Sequence, residues 1–455
     1  MVVQRNVPGG VVSSGNSSKI GRQLGLPMAT ALIVGNMIGA GIFLLPVALA
    51  PFGRTAIYGW LLTTVGVLCL SGIIAKLSAH FEGGPFAYVE RAFGPGAAFM
   101  VMWSYLLSMW VGLPPLAIAG VSYFSYLEPS LAGPVIAPAL AIAFIWAFVL
   151  INAQGARAGG AIQLATSILK VLPLVAVAFV ASGALTAGQA AAPIMPTRFS
   201  FGALAGATAL AMFSMLGFES ASLTAGKVRN SRLNVPKATI FGPLIAGAIY
   251  VIAYLSIVYL IPGARTAASP APFADAIQPL LGRKAGDVLA LFAAISALGC
   301  LNGWTLCAGE VPLTLALDGV FPAWFAKTTR AGTPVRAQVA AGAVASLLVI
   351  FNYSKSLSGL FAFLALLTTV ASLFLYGSLA AAAFVLARDV SKRLILPVLA
   401  APGLAFVIFI FWGSGLEVSL WGAGLLATGL PVYWLMRRAE RTTRAAETSP
   451  AAPQV

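Results

Sequence analysis

Long apolar runs dominate this chain, and short turns rich in Gly, Pro and charged residues separate them. A helix needs about 20 apolar residues to cross the roughly 30 Å hydrocarbon core of a bilayer. Twelve runs reach about this length, which predicts an all-α membrane protein with 12 transmembrane helices. The predicted spans are 27–49, 56–78, 97–126, 133–153, 160–183, 201–225, 237–262, 286–308, 335–352, 358–387, 394–413 and 416–436.

The connections between these runs are too short to form an extramembrane domain, so we expect one transmembrane domain over 23–437. Residues 1–22 are polar and basic, and we predict a disordered cytoplasmic tail there. Residues 438–455 are predicted to form a second cytoplasmic tail.

Composition excludes a soluble globular protein. Of the 455 residues, 60% are hydrophobic and 9% are charged, whereas soluble domains carry about 25% charged residues. One His and three Cys offer almost no material for a metal centre, a haem or a disulfide framework, so no cofactor is expected.

The net charge of +15 is explained by where the basic residues lie. Lys and Arg accumulate in cytoplasmic loops of membrane proteins, so the excess does not indicate a nucleic-acid partner. An even number of spans places both termini on one side, which holds all but seven of the 27 Lys and Arg residues. Lys170 lies within a span, and the opposite side holds Arg54, Arg198, Arg265, Arg283, Lys284 and Lys355. This asymmetry predicts cytoplasmic termini.

The first span contains three glycines in its middle, at Gly35, Gly39 and Gly41. Each costs a helix about 1 kcal/mol relative to Ala. Small residues could serve close helix packing. Alternatively the helix is unwound here and its free N–H groups face a cavity, because irregular backbone at this depth requires protein or water partners.

The sixth span repeats the peculiarity, with Gly217, Glu219, Ser220 and Ser222 near its middle. Spans one and six begin two consecutive sets of five, and because five is odd the second set is inverted relative to the first. Inverted-repeat transporters have this arrangement, and their half-helix N-termini face an anionic substrate group. The pattern predicts repeats at about 27–183 and 201–387, broken first and sixth helices, and a substrate with a carboxylate.

Four short motifs resemble those of the amino acid/polyamine/organocation superfamily, most closely its bacterial arginine/agmatine and basic amino acid antiporters. The matching stretches are 35–46 (GNMIGAGIFLLP), 217–222 (GFESAS), 303–305 (GWT) and 332–334 (GTP). Their order and spacing agree from about residue 24 to 437. The resemblance implies a LeuT-like five-plus-five inverted repeat, two extra C-terminal helices at about 394–436, and transport of amino acids or amines by alternating access.

The resemblance also implies a substrate site. Backbone groups from Ile38 through Gly39 and Ala40 to Gly41 would hold the substrate carboxylate, and carbonyls from Phe213 through Ser214 to Met215 would hold its ammonium. The remaining implied site residues are Tyr105 as a gating tyrosine, Trp304 as a stacking aromatic, Thr368 as a hydroxyl, and Leu113.

Leu113 departs from the antiporters, which carry at this position an Asn that receives the guanidinium of arginine. A pocket with Leu113, Phe213 and Trp304 suits a neutral or apolar side chain at least as well. A cationic substrate is the alternative, because the two aromatic residues could bind it by cation–π contact.

Two ionisable residues inside the spans are candidates for proton coupling or gating. Lys170 lies about ten residues into the fifth span, too deep for easy snorkelling, where a charged amine is costly. The resemblance implies that its ammonium replaces a sodium ion. Glu219 begins the second half of the sixth helix, where it is either a helix cap or a proton-sensitive latch on the cytoplasmic side.

A secondary transporter of the bacterial inner membrane is the favoured interpretation. A membrane enzyme would need a nucleophile, base or metal set that these residues do not supply. A channel would need a continuous polar pore, whereas the polar groups cluster at the two breaks. Exchange and proton symport, the direction of transport and the exact substrate stay open. The expected partners are an amino acid or amine, protons, the lipid bilayer and, from the resemblance, a second copy in a homodimer.

Overall fold

The structure, a computed structural model, describes residues 25–81, 84–154, 169–195, 197–223, 228–329, 332–352, 354–389 and 394–448. Every regular element in these ranges is helical. The predicted tail 1–22 and the first part of the fifth predicted span lie outside the described residues.

The first half of the chain contains the first eight described α-helices. They are α1 (Leu26–Met37), α2 (Ala40–Leu49), α3 (Thr55–His80), α4 (Gly84–Phe93), α5 (Pro95–Val111), α6 (Leu113–Leu127), α7 (Ile136–Ala153) and α8 (Leu172–Thr186). The predicted span 97–126 corresponds to α5 and α6, which meet at a one-residue turn at Gly112.

The second half of the chain contains the remaining described α-helices. They are α9 (Phe201–Met215), α10 (Ser220–Leu223), α11 (Ser231–Leu260), α12 (Gly263–Ala268), α13 (Pro272–Leu281), α14 (Arg283–Leu317), α15 (Val335–Phe351), α16 (Leu357–Leu386), α17 (Ile395–Gly413), α18 (Leu416–Ala427) and α19 (Gly429–Thr448). Helix α19 extends to Thr448, so much of the predicted tail 438–455 is helical.

Eight helical segments of the described chain are long and apolar enough to span a membrane, and the bent pair α1–α2 forms a ninth, broken span. Three shorter apolar helices, α8, α9 and α15, have 15 to 17 residues. Large apolar side chains stay exposed on α17 and α18, including Ile408 at 61% and Leu420 at 62%. Such exposure suits contact with lipid. The described ranges are therefore all-helical, with the long apolar helices of an integral membrane protein.

The interior of the bundle is built around the broken helices. Helix α1 packs against α11, α9 packs against α3, and α2 contacts α6, α9 and α14. Helix α14 packs along α6, and α16 packs along α5. This packing places the two helix interruptions at the centre of the bundle, where lipid cannot reach their backbone.

Candidate functional site

The first interruption separates α1 from α2. Helix α1 ends at Met37, and Ile38 and Gly39 take extended backbone conformations before α2 begins. The axes of the two flanking segments differ by 46°. The cap residue Gly39 has no side chain that could satisfy the first N–H groups of α2, so these groups are available to a ligand. The predicted break in the first span is present.

The second interruption follows α9. Helix α9 ends at Met215, and residues 216–219 form a turn before α10 begins at Ser220. Gly217 has a φ of 103°, a left-handed conformation that glycine adopts without steric cost. A Cβ at Gly217 would lie 3.5 Å from the backbone of Asn36 in the last turn of α1. The two breaks therefore lie directly beside each other.

A small cavity lies between the two breaks, α6 and α14. Five of the residues predicted for the site line it, namely Gly39, Gly41, Phe213, Ser214 and Trp304. The other lining residues are Asn36, Met37, Leu116, Leu216 and Cys300. The structure thus brings residues from both breaks and from α14 to one cavity.

Several predicted site residues do not line this cavity. Leu113 is fully buried at the start of α6, and Leu116, one turn further along, takes the lining position. Thr368 is also fully buried, and its hydroxyl donates to the carbonyl oxygen of Leu364 in its own helix. Ile38 and Met215 are buried beside the breaks. Ala40 begins α2, and its side chain lies outside the description.

Two glycines allow α14 to approach the site closely. A Cβ on Gly39 would lie 2.4 Å from the Sγ atom of Cys300, and a Cβ on Gly112 would lie 2.3 Å from the indole ring of Trp304. Real Cβ contacts are essentially never shorter than 3.0 Å. Any side chain at either position would displace a cavity-lining group.

Glu219 accepts hydrogen bonds from two tyrosines of other helices. Tyr105 of α5 donates to one carboxylate oxygen at 2.7 Å, and Tyr376 of α16 donates to the other at 2.9 Å. The ring of Tyr376 stacks on Phe218 with 4.8 Å between centroids. Glu219 is 2% exposed. These bonds tie α5 and α16 to the second break, three residues beyond the cavity-lining Leu216.

Lys170 lies inside the bundle and points to the first break. Its side chain is 1% exposed, and its Nζ atom lies 3.4 Å from the carbonyl oxygen of Gly35. In an unbroken helix this carbonyl would accept from the N–H of Gly39, so the break removes its normal partner. Lys170 therefore places its amine at the negative end of the α1 dipole.

Tyr250 connects the ends of both half-helices. Its hydroxyl donates to the carbonyl oxygen of Met37 at the end of α1 and lies 3.2 Å from the carbonyl oxygen of Ser214 near the end of α9. Both carbonyls belong to terminal turns, whose backbone acceptors lack helical partners. Sequence reasoning missed Tyr250 and Tyr376, because their partners lie far away along the chain.

Within the described ranges, no group of three or more His, Cys, Asp and Glu residues is arranged to hold a metal ion. The arrangement is instead a small cavity beside backbone groups of both helix breaks, and its described lining carries no charged side chain.

The sequence pattern of the amino acid permease family matches residues 24–435. The chain belongs to this family. It is an amino acid permease of the amino acid/polyamine/organocation superfamily, and it is a transporter of amino acids or amines, not an enzyme. The resemblance based on the four motifs is confirmed.

Curated relatives of this permease include amine antiporters and transporters. It is 31% identical over 342 residues to the cadaverine/lysine antiporter of Escherichia coli strain K12. The aligned region covers 74% of this chain and 77% of the antiporter. It is 29% identical over 422 residues to the putrescine transporter PotE of the same strain, covering 91% and 96%. The putrescine transporter PotE of Haemophilus influenzae is 30% identical over 421 residues, covering 90% and 96%.

Proposed function

We propose that this permease carries amino acids or related amines across a bacterial inner membrane by alternating access, as an exchanger or a proton-coupled carrier. The observation that carries the proposal is the cavity between the two adjoining helix breaks. Irregular backbone is tolerated at membrane depth only where protein or a cavity satisfies it, and transporters use such breaks to bind substrate.

The proposed architecture has twelve spans. Twelve segments are supplied by the bent pair, the eight long helices and the three shorter apolar helices. Helix α9 continues through its break into α10 as one of these spans. In this arrangement repeat one covers about 27–183, repeat two covers about 201–387, and two further helices follow at about 394–436. The positions of the breaks at the start of each set of five support the inverted repeat.

The proposed orientation places both termini in the cytoplasm, on the side with most Lys and Arg residues. Two ion pairs are consistent with this assignment. Arg91 pairs with Asp389 at 3.3 Å on the side assigned to the cytoplasm. Lys355 pairs with Glu417 at 3.5 Å on the opposite side. Each pair joins two residues that the topology assigns to the same side.

The proposed substrate site uses backbone groups of both breaks. N–H groups of Ala40 and Gly41 in the first turn of α2 would bind a carboxylate, assisted by the helix dipole. Carbonyl groups near Phe213 and Met215 would accept hydrogen bonds from an ammonium group. Phe213 and Trp304 would enclose the rest of the molecule, and the predicted site residues Leu113 and Thr368 are fully buried.

The burial of the lining is consistent with a closed intermediate of alternating access. The lining residues Met37, Leu116, Phe213 and Cys300 are each 3% exposed or less. In the proposed cycle, the bonds from Tyr105 and Tyr376 to Glu219 form the cytoplasmic closure and break when that side opens. Lys170 would stabilise the first break by its contact with the Gly35 carbonyl, in place of a sodium ion. Its amine would also provide a site for proton coupling.

Transport by purified protein in lipid vesicles tests the proposal. Uptake of a labelled substrate is measured with and without internal unlabelled substrate, and with and without a pH gradient. Uptake that requires internal substrate indicates exchange, and uptake driven by the pH gradient indicates proton coupling. Absence of saturable uptake across a panel of amino acids and amines, by protein that is folded and correctly inserted, would overturn the proposal.

A further inference from the structure

The described lining of the cavity carries no acidic or basic side chain. Its polar side chains are those of Asn36, Ser214 and Cys300. The remaining side chains that line it are apolar or aromatic, and they belong to Met37, Leu116, Phe213, Leu216 and Trp304. A charged group that enters this chamber can therefore be compensated only by backbone dipoles or by charges behind the lining.

The charged side chains behind the lining do not favour a substrate that carries a second positive charge. The carboxylate of Glu219 is already bound by two tyrosine hydroxyls. The buried Lys170 amine contacts the carbonyl of Gly35, the residue next to the cavity-lining Asn36. When this amine is protonated it repels further positive charge, and this repulsion is strong where the surroundings have a low dielectric constant.

The backbone groups around the cavity match one carboxylate and one ammonium. Helix α2 has ten residues and no side-chain cap, so its first turn offers N–H donors to an anion. The carbonyls at the ends of α1 and α9 are partly occupied, because Tyr250 lies between those of Met37 and Ser214. A diamine would leave the N–H donors of α2 without an anion and would bring a second ammonium that lacks a counter-charge.

We propose that the cavity selects an α-amino acid with an uncharged, apolar side chain over linear diamines and over basic amino acids, and that Leu116 is a determinant of this selection. The proposal rests on the proposed function of the same cavity. It places the zwitterionic end of the substrate at the two breaks and its side chain against Leu116 and Trp304. It also separates this permease from relatives whose names include cadaverine, lysine and putrescine.

Matched ligands test the selection. L-norleucine and L-lysine share one carbon skeleton and differ by the terminal ammonium, and cadaverine lacks the carboxylate of lysine. Each is used as an unlabelled competitor of labelled L-leucine uptake by the reconstituted protein, and each is also assayed directly as a labelled substrate. We expect norleucine to compete at least about tenfold more strongly than lysine or cadaverine. Transport of lysine or cadaverine in preference to norleucine would overturn the substrate class while leaving transport intact, whereas failure to transport any ligand would overturn the proposed function.

Two variants at one position test Leu116. Leu116→Glu adds a carboxylate to the lining, and Leu116→Gln adds a side chain of nearly the same shape without the charge. We expect the ratio of lysine to norleucine transport to rise at least about tenfold in Leu116→Glu and to change little in Leu116→Gln. Equal ratios in two folded variants would overturn the role of Leu116. If Leu116→Glu does not fold, the ligand comparison in the unchanged protein still decides the substrate class.

Discussion

The hydroxyl of Tyr250 donates a hydrogen bond to the carbonyl oxygen of Met37, the last residue before the first helix break. The same hydroxyl lies 3.2 Å from the carbonyl of Ser214, so one side chain of α11 contacts the ends of both half-helices. A hydroxyl has one proton, so it can donate fully to only one of these acceptors at a time. Tyr250 therefore couples the two breaks and can change partner when they move relative to each other.

Replacing Tyr250 with Phe should weaken both helix ends. Removal of the donor leaves buried carbonyls unsatisfied, a loss of about 1–3 kcal/mol in stability. We expect a lower melting temperature and slower substrate transport. Tyr254→Phe is the matched control, because both tyrosines pack against Trp60. Because both substitutions keep the aromatic ring, equal effects would show that the bond to Met37 does not explain the result.

Replacing Gly39 with Ala should block the cavity. The added Cβ would lie 2.4 Å from the Cys300 Sγ atom, so either the break or α14 must shift. A shift of this kind in the binding geometry is expected to reduce transport by about 100-fold. The control is Gly35→Ala in the same stretch, since a Cβ there meets nothing within 4 Å.

The double variant Gly39→Ala with Cys300→Ala tests whether the steric contact is the cause. Removing the sulfur atom frees the space that the new methyl group needs, and we expect a substantial part of transport to return. If Gly39→Ala alone transports normally, or if the double variant is no better than the single one, the close approach is not important for the site.

Replacing Glu219 with Gln distinguishes a gate from a helix cap. Gln keeps the shape of the side chain but removes its charge and its ability to bind a proton. If the tyrosine bonds form the cytoplasmic closure, the variant should lose the pH dependence of transport and keep most of its thermal stability. Tyr105→Phe and Tyr376→Phe each remove one donor and should have intermediate effects. Lower stability with an unchanged pH profile would favour the cap.

Replacing Lys170 with Met tests proton coupling. The substitution removes the amine that contacts the Gly35 carbonyl and keeps an apolar side chain of similar length. We expect loss of the pH-dependent part of uptake, measured in vesicles with an imposed pH gradient. Lys237→Met, at an exposed position of α11, is the control. Full pH-dependent uptake by Lys170→Met would contradict the coupling role.

The two helix breaks could be predicted from the sequence because glycine weakens a helix locally. Three glycines near Gly39 and the Gly217–Glu219 stretch weaken a helix wherever they occur, so the sequence predicts both breaks before any packing is known. The depth of Lys170 follows from counting residues along its apolar run. Such features depend on near neighbours in the chain, which are visible in a single sequence.

Features that depend on distant partners could not be predicted in the same way. Tyr376 and Tyr250 are single tyrosines in apolar runs, and only packing brings them to Glu219 and Met37. The sequence predicts Leu113 in the cavity lining, whereas the structure has Leu116 there. The turn at Gly112 sets the rotation of α6 and so decides which leucine faces the cavity. A shift of three residues along a helix moves a position by about one turn, which motif spacing alone does not resolve.

The central claim is that substrate occupies the chamber between the two breaks, and Cys300 is a native reporter of that chamber. With Cys69 and Cys307 replaced by Ala, alkylation of Cys300 by a small thiol reagent is measured in membranes with and without substrate. At a substrate concentration ten times Kd, the unoccupied fraction is about one-eleventh, so the account predicts labelling about tenfold slower. An unchanged labelling rate at saturating substrate, with transport intact, would contradict it.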